Sequence, residues 1–266
     1  MSTSASSAGT DPLSERDRAI LAFAAAHRLI VEDQVQALLT TVEGARLEQV
    51  TRLAHRRLRA LLGAGLLSHR PAFHALPTSY QITRRGLAAI GSGLPVPRFE
   101  TIRSHRHEIG VGWMWLSAHA GTFGPAELIL SERELRGHDT AHADAPRAHE
   151  PGTRPLEARA EPPFGVALDA GGATGEPLVH YPDLMLVTKA GRVAIELALL
   201  ARPPRRLQAI VAGYGADPKV ADAAFFVAEP AVGKSIQAVA ARLGLSRPTH
   251  VQPAEFGRTP PTTIAQ

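Results

Sequence analysis

The sequence contains no cysteine and no long hydrophobic run. Without cysteine, the 266 residues cannot form structural disulfides, thiolate metal sites or cysteine nucleophiles. No apolar stretch approaches the ~18 residues that a membrane-spanning helix requires. Residues 1–11 lack the basic start and the apolar stretch of a secretory signal peptide, and we expect them to form a disordered tail. These absences predict a cytoplasmic protein with no membrane partner.

Positive charge is concentrated in one part of the chain. The hydrophobic fraction of 44% is sufficient for a folded core, and the formal net charge is only +4. Residues 44–106, however, contain eleven arginines and two acidic residues, whereas residues 1–43 contain three arginines and six acidic residues. A concentrated cationic stretch is typical of proteins that bind nucleic acid. The alternative is an arginine-rich surface that is simply solvated.

The pattern of residues 12–92 predicts a winged helix-turn-helix domain. Apolar residues recur at helical spacing in three successive segments, and two short strands around a loop follow them. In this class of domain the third helix enters the major groove of duplex DNA. A glycine- and proline-rich linker is predicted at 93–102. The helices are predicted at 15–27, 32–39, 45–63 and 84–91.

The outward face of the third predicted helix carries candidate DNA-binding residues. Arg52 and Arg56 lie four residues apart and therefore share one face of the helix. The planar guanidinium of arginine donates two hydrogen bonds at once to guanine edges or to phosphate. Arg57 is predicted to contact phosphate. The alternatives are a solvated amphipathic helix and a winged helix that binds another protein. The complete predicted set, with cations of the hairpin and of the helix after it, is Thr51, Arg52, His55, Arg56, Arg59, Arg70, Arg84 and Arg85.

The second half of the chain, residues 103–256, predicts a mixed α/β domain. A helix opens it, two apolar strands at 184–188 and 192–197 are joined by a tight turn, and helices and strands alternate afterwards. Residues 136–176 show no periodicity and predict an irregular insertion, and residues 257–266 predict a disordered tail. The predicted fold class is therefore α+β: a winged helix-turn-helix followed by a mixed α/β domain that resembles restriction endonucleases.

Two carboxylates in the strand hairpin form a candidate catalytic pair. Asp183 precedes the first strand and Glu196 lies within the second, so both are expected at one end of the sheet. Paired carboxylates bind Mg²⁺ through oxygen and position a water for attack on a phosphodiester. The pattern resembles the PD-(D/E)xK nucleases, in which a lysine follows the Glu by two residues. Ala198 occupies that position here. A nuclease-like domain without catalysis and without a cofactor is favoured, and a Mg²⁺-dependent endonuclease using Asp183 and Glu196 is the alternative.

Several other residues are candidates for accessory roles near this pair. A cation from the following helix is a candidate replacement for the lysine, and the helix that opens the domain carries a carboxylate and two histidines. For the histidines, a surface or structural role is the alternative to lining the same pocket. The candidates are Arg202, Arg205 and Arg206 as cations, Glu108 as a third carboxylate, and His105 and His107 as lining residues.

Taken in order, these motifs resemble the replication-relaxation family of actinobacterial plasmids and integrated mobile elements. The resemblance covers about residues 13–245 and depends on the order of the motifs more than on any one of them. Ala198 and Leu200 depart from the family pattern, whereas Arg202 keeps a basic position. The matching motifs are 13–21, 56–61, 65–67, 82–86, His105-Arg106, 181–183 and 194–197, followed by Arg205 and Tyr214.

The resemblance implies a protein that binds DNA during replication, maintenance or transfer of a mobile element. Together with the winged-helix prediction, it favours a duplex-DNA-binding protein, with transcriptional control as a further possible output. A homodimer is expected, because winged-helix regulators often read two half-sites with two-fold symmetry. An adaptor that binds replication or transfer proteins is a third alternative, beside the DNA-binding protein and the endonuclease.

Overall fold

The computed structural model describes residues 13–43, 47–70, 77–98, 102–144, 164–168, 178–245 and 249–254. The predicted terminal tails lie outside the described residues, as do the tip of the predicted hairpin and most of the predicted insertion. The helices are α1 (Glu15–Ala26), α2 (Glu32–Glu43), α3 (Leu47–Gly63), α4 (Arg84–Ala89), α5 (Ile102–His119), α6 (Glu132–Asp144), α7 (Pro204–Ala216) and α8 (Pro230–Leu243). The strands are β1 (Ile30–Val31), β2 (Leu67–Arg70), β3 (Ser79–Ile82), β4 (Leu128–Ser131), β5 (Val166–Leu168), β6 (Leu178–His180), β7 (Leu184–Thr188), β8 (Gly191–Ala198), β9 (Val220–Val227) and β10 (Thr249–Pro253).

The fold is a mixture of α-helices and β-sheets, as the sequence predicted. Residues 13–92, which we call the N-terminal region, contain α1 to α4 and a small antiparallel sheet in the order β1-β3-β2. Residues 102–254, the C-terminal region, contain a five-stranded mixed sheet in the order β10-β9-β8-β7-β4. In that sheet β8, β9 and β10 are parallel, whereas β7 and β4 are antiparallel to their neighbours.

The N-terminal region folds around the apolar faces of its first three helices. Ser14 caps α1, because its hydroxyl oxygen accepts a hydrogen bond from the Asp17 backbone N–H at 3.2 Å. Burial of these faces supplies most of the favourable free energy of this region. The fully buried side chains of the core include Ile20, Phe23, Val35, Leu39, Val50, Ala54 and Leu58.

Gly86 in α4 lies against the backbone that leads into β2. A Cβ built there would overlap the carbonyl oxygen of Leu66 and would lie 2.8 Å from Cγ1 of Ile82. We therefore expect Gly86→Ala to destabilise the protein by about 1–3 kcal/mol, because backbone must move to accommodate one methyl group. Gly63→Ala is the control, since a Cβ at Gly63 meets nothing within 4 Å. Denaturant unfolding measures both variants, and equal stabilities would contradict the close approach.

The central strands of the five-stranded sheet are covered on both faces. On one face the sheet packs against α5 through side chains such as Met114, Leu186 and Phe226. On the other it packs against α7 and α8, with Phe225 and Ile236 in that core. Strands covered on both sides are apolar along most of their length, which explains why β8 and β9 lack the polar alternation of a half-exposed strand.

The chain between the fourth and fifth strands differs from the sequence prediction. Residues 136–144 were predicted to begin an irregular insertion, but they continue α6, which starts at Glu132. The helix was missed because it is polar, with Leu135 as its one fully buried apolar side chain in the described part. Within the same predicted insertion, the strand β5 pairs with β6.

The two regions share a buried interface formed mainly by α5. Trp115 packs on Phe23 with ring centroids 5.1 Å apart. The buried Gln34 side chain donates from Nε2 to the Ile109 carbonyl at 2.7 Å and accepts from the Val31 N–H at 3.1 Å. Moving the two regions apart would break the hydrogen bond between Gln34 and Ile109. A buried amide without its hydrogen bonds is unfavourable, so this contact holds the regions in place. Within the described ranges, no helix is both long and apolar enough to cross a membrane.

Candidate functional site

The outer surface of α3 carries five of the predicted DNA-binding residues. Its inner positions, including Val50, Ala54 and Leu58, are buried in the core of the N-terminal region. Side chains offset from that apolar face must therefore point outward. The exposed residues are Thr51, Arg52, His55, Arg56 and Arg59.

Contacts with α2 order part of this surface. The Thr51 hydroxyl lies 3.3 Å from Oε1 of Gln36, and Nδ1 of His55 lies 3.5 Å from a carboxylate oxygen of Glu32. Arg52 and Arg56, by contrast, line a shallow surface groove of about 430 Å³. These two exposed guanidinium groups are accordingly available to an approaching polyanion.

Arg57 is set apart from this surface by a pairing within the protein, which argues against the predicted phosphate contact. Its guanidinium binds both carboxylate oxygens of the buried Asp17, with Nε 2.8 Å from Oδ1. Burial alone would raise the pKa of Asp17, but hydrogen bonds from Arg57 and Ser14 lower it below its usual value. Arg57 therefore joins α3 to α1, and its charge is already compensated.

The remaining predicted DNA-binding residues are divided between described and undescribed positions. Arg84 and Arg85 are exposed in the first turn of α4, which Thr83 caps by accepting a hydrogen bond from the Gly86 N–H at 3.0 Å. The backbone of Arg70 ends β2, and its side chain lies outside the described part. The prediction for Arg70 therefore stays untested.

A cleft of about 1140 Å³ lies where the N-terminal region, the segment 93–98 and the C-terminal region meet. The helices α5 and α6 form its walls, together with the chain that follows β6 and the turn before α7. It contains Asp183, while Glu196 lies at its floor and contacts the lining residues His180 and Arg202. The cleft is lined by Arg28, Gly93, Pro95, Val96, Arg98, Ser104, His107, Glu108, Glu132, Arg133, Arg136, Gly137, Thr140, Ala141, His180, Tyr181, Asp183, Arg202 and Arg206.

Asp183 immediately precedes β7 and Glu196 lies in β8, the antiparallel neighbour of β7, so the two residues lie near each other, as their spacing predicted. Oδ2 of Asp183 accepts a hydrogen bond from the backbone N–H of Leu197 at 2.7 Å. The same oxygen lies 3.2 Å from Nε2 of His107, which comes from α5. Burial alone would lower the pKa of His107, but the charges of Asp183, Glu108 and Glu196 raise it to about 9. His107 is therefore protonated at neutral pH and compensates Asp183.

Glu196 is fully buried, and both of its carboxylate oxygens are occupied by donors. Oε1 accepts from the Tyr214 hydroxyl at 2.5 Å and lies 2.6 Å from Nε2 of His180. Oε2 accepts from a guanidinium N–H of Arg202 at 2.6 Å. Burial alone would raise the pKa of Glu196, but Arg202, His180 and Tyr214 lower it well below its usual value. The carboxylate is therefore charged and held by protein groups.

This arrangement does not fit a Mg²⁺ ion at Glu196. A metal bound there would have to displace Arg202, His180 or Tyr214, and it would meet the guanidinium charge at close range. In the described ranges, no group of three or more His, Asp and Glu side chains is positioned to hold a metal ion. Among the three candidate cations, Arg202 is the one that contacts Glu196, while Ala198, at the position of the expected lysine, is buried. Arg206 lines the cleft, and Arg205 is exposed.

Arg28 joins the cleft to the N-terminal region. It follows α1 and bridges two carboxylates of the other region, Glu108 at 2.8 Å and Glu132 at 2.7 Å. Glu108, the predicted third carboxylate, thus lies in the cleft but is paired with Arg28. Burial raises the pKa of Glu108 despite that pairing. On α6, Arg133 donates from Nε to the Ala25 carbonyl at 2.9 Å and from a terminal nitrogen to the Pro95 carbonyl at 2.6 Å.

Of the side chains that contact Asp183 and Glu196, sequence reasoning named His107 and Arg202 as candidates and missed His180. His107 lines the cleft as predicted, whereas His105 is buried on α5 and is not among the lining residues. Arg28, Glu132 and His180 were not singled out. His180 could have been found from the sequence, because it lies only three residues before Asp183. The Arg28 contacts span 80 and 104 residues of chain and leave no local pattern.

We compared the chain with protein-family models, curated proteins and solved structures, and nothing matches it. The resemblance to the replication-relaxation family therefore stays a prediction from the motifs.

Proposed function

We propose that this protein binds duplex DNA, with α3 as the helix that enters the major groove. The observation that carries the proposal is the exposed face of α3, where Arg52 and Arg56 are free of carboxylate partners within the described residues. A helix bundle followed by the β2–β3 hairpin supports assignment of the N-terminal region as a winged helix. The basic stretch of the sequence supports a polyanionic partner.

In the same proposal, the C-terminal region is a nuclease-like domain that does not catalyse hydrolysis. Its support is the placement of Asp183 just before β7 and of Glu196 in the neighbouring β8, together with their compensation by His107 and Arg202. The protein would bind as a homodimer, with each copy reading one half-site. Replication, maintenance, transfer or transcriptional control of a plasmid or integrated element is proposed from the motif resemblance alone.

The test is a fluorescence anisotropy titration of the full chain with a labelled duplex from its own genetic neighbourhood and a scrambled duplex. We expect the double variant Arg52→Ala/Arg56→Ala to bind at least about tenfold more weakly, because each lost arginine contact to DNA is worth 1 kcal/mol or more. Binding should also weaken between 50 and 200 mM salt, since phosphate contacts release counterions. The stoichiometry of the titration reports whether two copies bind.

The matched control is Lys189→Ala/Lys234→Ala, which removes two exposed charges from the C-terminal region. It should bind DNA like the unmodified protein. Equal affinities for the two double variants would contradict the role of α3. A denaturing gel with Mg²⁺ is run in parallel, and Mg²⁺-dependent fragments that disappear in Asp183→Ala would favour the endonuclease instead. Absence of any DNA binding would direct attention to a protein partner.

A further inference from the structure

The cleft between the two regions is large enough to be a ligand site. Its volume of about 1140 Å³ is slightly larger than that of most small-molecule sites in proteins. The walls come from the N-terminal region, the segment 93–98 and the C-terminal region, so a molecule bound there would touch all three. Pro95 and the exposed Val96 supply apolar surface on one side.

The carboxylates of the cleft are already matched with cations. Asp183 contacts His107, and Glu196 at the floor contacts Arg202. Glu108 and Glu132 share Arg28, and Arg136 also binds Glu132 at 2.8 Å. The list of cations is longer than this list of carboxylates, so positive charge is left over.

Arg133 has no carboxylate partner in the described residues, but it donates to the backbone carbonyls of Ala25 and Pro95. The cations that remain available to a ligand are Arg98 and Arg206. Neither makes an ion pair or a side-chain hydrogen bond within the part of the chain that the structure describes, although both line the cleft. They belong to different parts of the molecule, because Arg98 precedes α5 and Arg206 lies in the first turn of α7. Unpaired arginines that face one cavity are typical of sites for phosphate, whose oxygens accept two parallel hydrogen bonds from each guanidinium.

We propose that this cleft binds a small phosphorylated molecule of about the size of a mononucleotide, with Arg98 and Arg206 holding its phosphate. The remainder of the molecule lies along Pro95 and Val96. Since the lining residues come from both regions, the bound molecule also stabilises their relative position. The site is separate from the α3 surface and does not depend on DNA binding.

The test is isothermal titration calorimetry of the full chain with AMP and with inorganic pyrophosphate as probes. Adenosine serves as the unphosphorylated control. We expect AMP to bind at least about tenfold more tightly than adenosine, because hydrogen bonds to charged groups carry the difference. The midpoint of thermal unfolding should rise with AMP by mass action.

The decisive comparison is between two neighbouring arginines. Arg206→Ala should weaken AMP binding at least about tenfold, whereas Arg205→Ala, which removes an exposed charge one residue away, should bind AMP normally. Both variants should keep the thermal stability of the free protein. Equal affinities for these variants, equal affinities for AMP and adenosine, or absence of heat with both AMP and pyrophosphate would overturn the proposal.

Two further arms locate the source of the phosphate and separate this site from the DNA surface. A short single-stranded oligonucleotide competes with AMP in an Arg206-dependent manner if the natural phosphate belongs to nucleic acid, and it does not compete if the ligand is a free metabolite. Arg52→Ala/Arg56→Ala should retain AMP binding even if it loses duplex DNA. Loss of AMP binding in that double variant would count against a separate cleft site.

Discussion

Replacing Arg202 with methionine is expected to destabilise the fold by about 3–5 kcal/mol at neutral pH. The substitution keeps most of the side-chain volume but removes the guanidinium that contacts Oε2 of Glu196 at 2.6 Å. Glu196 is fully buried, so its charge would keep only His180 and Tyr214 as partners. Leaving a buried charge without its counter-ion costs far more than the intact pair contributes. Denaturant unfolding of the two proteins measures the difference.

The pH dependence of the stability lost in Arg202→Met tests whether the charge of Glu196 causes the loss. The folded-state pKa of Glu196 lies below its unfolded value, so the stability that its ionised form contributes is present above about 4.5 and is lost as the pH falls. Without Arg202, the pKa of Glu196 should rise and the carboxyl should take up a proton more readily. We therefore expect a smaller difference between the proteins at pH 5 than at pH 8.

Two companion variants make this prediction specific. Arg206→Met, four residues along the chain, has no described ion pair to lose and should change stability by less than about 1 kcal/mol. Adding Glu196→Gln to Arg202→Met should restore part of the lost stability, because the uncompensated charge disappears. Equal destabilisation by Arg202→Met and Arg206→Met would show that loss of the Arg202–Glu196 ion pair does not cause the drop in stability.

The elements with apolar periodicity could be predicted from the sequence, and the polar ones could not. α1, α3, β7 and β8 lie within two residues of their predicted ends because burial of an apolar face leaves a local pattern. Residues 136–144 of α6 were predicted to be irregular because the contacts of this helix are largely polar and distant in sequence: Arg133 reaches the Ala25 carbonyl across 108 residues. Such contacts leave no periodic signal.

The same distinction holds for the candidate site. The proximity of Asp183 and Glu196 followed from a hairpin, in which short connections fix the register of two strands. The hairpin could not predict how the two carboxylates are compensated, because this depends on His107 from α5 and on Tyr214 from α7. The same sequence pattern of two carboxylates is found whether the pair binds a metal ion or an arginine side chain. Which of the two partners the carboxylates have depends on the side chains that α5 and α7 bring to them from opposite faces of the sheet.

A second large effect is expected in acid, where protonation of His27 should destabilise the protein. His27 is fully buried at the end of α1, and its ring packs on Phe23 and Trp115, with centroids 4.7 and 5.8 Å away. Burial, with smaller contributions from the charges of Arg133 and His119, lowers its pKa to about 3. Protonating this ring would place a charge in the apolar interface between the two regions.

The direction in which stability changes with pH follows from the folded and unfolded pKa values of His27. Its unfolded value is about 6.5, so between pH 6.5 and pH 3 the unfolded chain binds a proton that the folded protein excludes. The stability that neutral His27 contributes is therefore complete above pH 6.5, and it falls by about 1.4 kcal/mol per pH unit below that. The pKa values of His105 and His119 are also lowered by burial and add to the slope in the same direction.

His27→Leu should remove the largest part of this acid sensitivity. The variant should be about as stable as the unmodified protein at pH 8, because the Nε2 atom of His27 has no hydrogen-bond partner among the described residues. Between pH 6.5 and 5 its free energy of unfolding should fall less steeply, by about 1.4 kcal/mol per pH unit. His119→Leu is the control, because the pKa of His119 is lowered less than that of His27 and its replacement should change the slope less. Parallel pH profiles for the unmodified protein and His27→Leu would mean that His27 is not the group whose protonation opens the interface.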